Sequence, residues 1–98
     1  MKRTNLPVPE EPRELRDRAR TLLEEAPEEG ARLVGEASFV AYPLWDEWGA
    51  ELAAVGMDRD RFLGIARGYA GEIRLWVVGE RPWEHCAAGL AGRASRRL

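Results

Sequence analysis

The sequence predicts an all-α fold: a compact bundle of four to five helices with a long central helix and an extended N-terminal arm. Three observations predict it. Apolar residues recur at steps of three and four through most of the chain. Proline or glycine stands at the joints between those stretches, at Pro12, Pro27, Pro43, Gly56 and Pro82. With 98 residues the chain has room for one domain, placed at 12–98.

Residues 1–11 carry Pro7 and Pro9 and no periodic pattern, so they read as an extended, mobile arm. The first helix is expected at 12–26. Pro12 suits a first turn, and Leu15, Ala19, Leu22 and Ala26 share one face. Arg, Glu and Asp fill most other positions, as on a solvated side. Pro27 restarts the chain, and Glu28 and Glu29 suit the positive end of a second helix. Leu33, Ala37, Val40 and Leu44 continue its apolar stripe. A strand at 37–42 competes, but its flanks are helical and no partner strand is evident.

Pro43 is expected to open a third helix at 43–55, with Trp45, Trp48, Leu52 and Val55 on one face and Gly56 as its cap. Asp58 is a good N-cap for the long central helix at 59–79, which buries Phe62, Ile65, Ala66, Tyr69, Ile73, Trp76 and Val77. After Arg81-Pro82 a last helix, 82–97, turns Trp83, Cys86, Ala87, Leu90 and Ala94 inward.

Composition narrows the function. Apolar residues make 45% of the chain and charged residues 33%, a globular rather than a disordered balance. The net charge of −2 gives the whole molecule no strong pull on nucleic acid or anionic lipid. Two Thr, two Ser, one Asn and no Gln leave few hydroxyl nucleophiles and few amides to orient a substrate. Cys86 is the sole cysteine, so no internal disulfide is expected. No apolar segment follows Met1-Lys2-Arg3, and no run is long enough to span a bilayer. A cytoplasmic location without membrane contact is the expectation.

Several surfaces are candidates for binding. Gly64, Gly68, Gly71 and Gly79 fall on one side of the central helix. Each interior glycine costs a helix about 1 kcal/mol relative to alanine, so something is expected to approach that backbone closely. Another helix of the domain, a second copy, or a ligand would each satisfy this. Arg67, Arg74 and Arg81 recur every seven residues, about 10 Å apart along a helix. Aligned guanidinium groups read carboxylates or phosphates in two-pronged fashion, or simply form a solvated face. Arg93, Arg96 and Arg97 make the C-terminal stretch basic, a candidate nucleic-acid contact or a complement to the helix dipole. Residues 1–49 are acidic, with seven basic groups against eleven acidic. Trp45, Trp48, Trp76 and Trp83 fill a core or line a ligand pocket.

Catalytic signals are thin. His85 and Cys86 are adjacent on a helix and so do not face each other. One His and one Cys do not make a structural zinc site, and no cofactor motif is present. Glu72 flanks the apolar face of the central helix and Glu80 falls on that face near the helix end, but they more readily cap or pair with arginines than mark an active site. The leading expectation is a small non-catalytic interaction or regulatory module that binds a protein partner or a second copy of itself. The alternatives are a nucleic-acid-binding accessory protein with an arginine face, and a small-ligand binder or enzyme with a tryptophan-lined pocket.

Overall fold

The computed structural model describes residues 6–96. Among them are six α-helices and no strand: α1 (Arg13–Glu25), α2 (Pro27–Glu36), α3 (Ser38–Ala54), α4 (Arg59–Arg67), α5 (Ala70–Val77) and α6 (Trp83–Arg96). The helical bundle expected from the periodicity is present. Residues 38–42, where a strand competed, lie in α3.

α1 and α2 fold back on each other across a single residue, Ala26. Their backbones touch at Gly30, where an added Cβ would lie 2.6 Å from the Leu23 nitrogen. Only a residue without a Cβ permits that approach. The next joint differs from expectation. The chain turns at Ala37, in the left-handed conformation with φ +62°. This costs a residue with a Cβ about 1 kcal/mol. Ala37 is fully buried, so the surrounding packing holds the turn. Pro43, expected to open a helix, lies inside α3. It forfeits one helical hydrogen bond without ending the helix.

The later joints follow the sequence closely. α3 stops at a left-handed Gly56 (φ +95°). Met57 N–H donates to Leu52 O at 3.0 Å and Gly56 N–H to Ala53 O at 3.1 Å, the paired bonds of a Schellman cap. Met57 is thereby buried. Asp58 caps α4 by accepting from the Arg61 N–H at 2.8 Å.

The long central helix is interrupted. Tyr69 N–H reaches back only three residues, to Ala66 O at 3.0 Å, which tightens the turn between α4 and α5. Gly68 and Gly71 weaken helical preference on both sides of a buried Tyr69, so tertiary packing decides the conformation. α5 ends in a second Schellman cap. Glu80 N–H donates to Leu75 O at 2.8 Å, and Gly79 takes φ +90°. Gly79 therefore serves a turn and does not belong to the glycine side of a helix. Arg20, expected on a solvated face, donates from Nε to Val77 O at 2.8 Å. It satisfies a last-turn carbonyl of α5 and ties α1 to it.

α3 packs on α2 and α4, α5 on α1 and α2, and α6 on α4 and α5. Trp48, Trp76, Phe62, Leu44, Leu52, Met57, Ile73 and Leu90 are the large side chains at the centre. No helix among the described residues is long and apolar enough to cross a membrane.

Candidate functional site

The tryptophans place the arm. Residues 6–12 precede the helices and are docked on the bundle. Trp48 of α3 donates its indole N–H to Pro7 O at 2.7 Å. Trp83 of α6 donates to Pro9 O at 2.8 Å, and Trp76 of α5 to Glu11 Oε2 at 2.8 Å. Three helices thus each supply one donor to alternate residues of one extended segment. The rings are buried and packed: Trp76 on Trp83 with centroids 4.8 Å apart, and Trp48 edge-on to Phe62 at 6.0 Å. Trp45 differs. It is half-buried, tilts against Phe62 at 6.0 Å and lies over Gly49. Its indole N–H has no acceptor among the described residues.

Glu11 is the hinge of this arrangement. Its carboxylate also accepts from Arg16 at 3.0 Å and Arg13 at 3.2 Å. The Trp76 indole holds it below the usual carboxylate range, against partial burial and helped by Arg16 and Arg13. Three of the four tryptophans are packed in the core, and the arm takes the acceptor positions that a ligand of a tryptophan-lined pocket would have filled. What stays open beside the arm is a surface cleft of about 610 Å³ between Val8–Arg13 and Trp83–Glu84.

The glycine and arginine positions lie on the outside. Gly64, Gly68 and Gly71 are exposed. A Cβ on Gly64 or Gly71 would meet nothing within 4 Å, and one on Gly68 would touch the Ile65 carbonyl at 3.4 Å and the Gly64 carbonyl at 3.8 Å. The helices of the bundle do not cover this side. The close approaches occur at Gly30, Gly49 and Gly89 instead; a Cβ on Gly89 would collide with the Tyr69 hydroxyl. Arg67 and Arg74 are exposed, with no ion pair among the described residues. Arg81 lies 3.9 Å from Glu72, and Arg93 stacks over the Tyr69 ring at 4.9 Å. Arg96 is exposed in the last turn of α6, and Arg97 lies outside the described residues.

A polar cluster joins α5 to α6. Glu72 Oε2 has no hydrogen bond among the described residues but lies 3.9 Å from both Arg81 Nε and His85 Nε2. Cys86 is fully buried, and burial with the Glu72 charge pushes its thiol up to about 12. The thiol stays protonated and cannot act as a nucleophile at neutral pH. Tyr69 is likewise raised, by burial first and then by Cys86 and Glu72, against the two arginines. No group of three or more His, Cys, Asp or Glu positioned to hold a metal occurs among the described residues.

Glu11, Pro7 and Pro9 were not among the expected site residues. One signal pointed to them: buried indoles in a chain with almost no amides turn to backbone or carboxylate acceptors. Comparison with protein-family models, curated proteins and solved structures found no match.

Proposed function

We propose that the protein is a non-catalytic helical module that binds an acidic protein partner along the exposed side of α4 and α5. One observation carries this reading: Gly64 in α4, Gly68 in the turn after it and Gly71 in α5 leave bare backbone that no other element among the described residues covers, and Arg67 and Arg74 on the same two helices are exposed with no ion pair among those residues. Glycines that serve no internal contact still cost the helix stability. A helix laid against them approaches closely, and carboxylates on it pair with the two arginines. A second copy meets the requirement, because Glu24, Glu25, Glu28 and Glu29 are all exposed around the α1–α2 joint. The closed tryptophan cluster and the protonated, buried Cys86 support a role without chemistry.

Arg81 and Arg93 are already engaged by Glu72 and Tyr69, which favours a protein ligand over a continuous nucleic-acid surface. The test is capture of partners on immobilised wild-type chain and on the Arg67→Glu/Arg74→Glu variant, with light scattering of both in solution. A protein, or a dimer, retained by the first and lost by the second is the expected result. Identical retention and identical mass for both would overturn the reading.

A further inference from the structure

The donors that hold the arm belong to three separate helices, and the acceptors belong to an extended segment outside the helical body. We infer that Trp48, Trp76 and Trp83 form a binding seat for extended, proline-containing acidic peptides, with residues 6–12 as its resident occupant. The seat lies apart from the α4–α5 side and rests on different observations.

Its specificity is written in the arm. The ligand supplies two main-chain carbonyls two residues apart, at Pro7 and Pro9, and a carboxylate two residues further on, at Glu11. Prolines pre-set an extended backbone and remove N–H groups that would otherwise need partners. Aromatic grooves that read such segments rely on this low ordering cost. Of the arm's side chains, Leu6 packs partly buried against the core, whereas Pro7 and Glu10 are exposed and Val8 is 45% exposed. The donors read backbone and one carboxylate, so another segment of the same spacing satisfies them equally. The arm also leaves the seat unsealed, because the cleft along Val8, Pro9 and Trp83 stays open to solvent.

A peptide in trans competes with a tethered occupant. Its apparent affinity is reduced by the fraction of time that the seat is free. Loosening the arm while keeping its carbonyls must therefore tighten peptide binding. Pro7→Gly with Pro9→Gly does this by restoring backbone freedom to the undocked arm.

The experiment titrates a synthetic peptide with the sequence of residues 6–12 into the full chain, labelled at the tryptophan indoles and read by NMR. The expected result is saturable binding to the double-glycine variant, about ten-fold tighter than to the wild type. The Trp48, Trp76 and Trp83 indole signals shift and that of Trp45 does not. A Glu11→Gln chain, which keeps an acceptor for Trp76 but loses the pairing with Arg13 and Arg16, gives the same order if the glycine variant fails to fold. No binding to a folded variant at millimolar peptide, or binding that leaves the three indoles unshifted, would overturn the inference. So would a concentration-dependent dimer dissociated by the peptide, which would make a second copy's arm the occupant.

Discussion

The indole N–H of Trp83 donates to the carbonyl of Pro9 at 2.8 Å, joining α6 to the arm across 74 positions of sequence. Buried indoles need acceptors, and those of Trp48, Trp76 and Trp83 all lie in the arm. The arm supplies what the bundle lacks. Trp83→Phe keeps an aromatic ring against Trp76 but removes the donor. It is expected to cost about 1–3 kcal/mol, combining a lost hydrogen bond with imperfect packing. Cleavage by a protease near Val8 should accelerate as the arm loosens. A variant with unchanged melting and unchanged cleavage would show that the contact holds nothing.

Glycines separate by what surrounds them. Gly30→Ala forces a Cβ to 2.6 Å from the Leu23 backbone and must part α1 from α2. An overpacking cost of about 1–3 kcal/mol is expected in chemical unfolding. Gly64→Ala places its Cβ in open space and is expected to stabilise by about 0.5–1 kcal/mol. The same substitution narrows the surface assigned to a partner, so gained stability with weakened partner binding is the outcome that fits a binding face. Opposite signs at Gly30 and Gly64 are the check; a loss at Gly64 as large as at Gly30 would mean that something packs there.

Acid should weaken the arm contact through Glu11. Its carboxyl is held below the ordinary value of 4.5, chiefly by the Trp76 indole and then by Arg16 and Arg13. A depressed carboxylate contributes stability that is complete above the unfolded value and is lost as pH falls through the folded one. Unfolding midpoints in urea should therefore drop more steeply below pH 4.5 for the wild type than for Glu11→Gln. Parallel curves for the two would remove Glu11 from the acid response.

Cys86 should be silent to thiol reagents in the folded chain. It is 0% exposed and its thiol is pushed up to about 12. Labelling is expected to follow the opening of α6 and to speed up with added denaturant. Immediate labelling of the native chain would place Cys86 at a surface.

Much of the bundle was legible where local chemistry and periodicity agreed. The Asp58 cap, the Gly56 stop and the inward face of Trp83, Cys86 and Leu90 follow from residue type and spacing alone. Ala37 was not legible, because a left-handed turn at a residue with a Cβ is imposed by burial and carries no local mark. The break at Tyr69 was missed for a related reason: the apolar stripe runs on through it, and only tertiary contact shows that the helix pauses. The glycine side was visible in the sequence, but its surroundings were not. Spacing shows which residues share a face and does not show whether another helix covers it. The docking of the arm was not legible because its partners lie 41, 65 and 74 residues away, in three different helices.

Three tryptophans hold the arm, which leaves no open pocket of the kind that the four offered as an alternative to core packing. Hydrogen exchange of the four indole N–H groups in the full chain tests this directly. Trp48, Trp76 and Trp83 should exchange slowly, with Trp45 exchanging fast. Fast exchange at all four would mean that the arm is free and the tryptophan pocket is open.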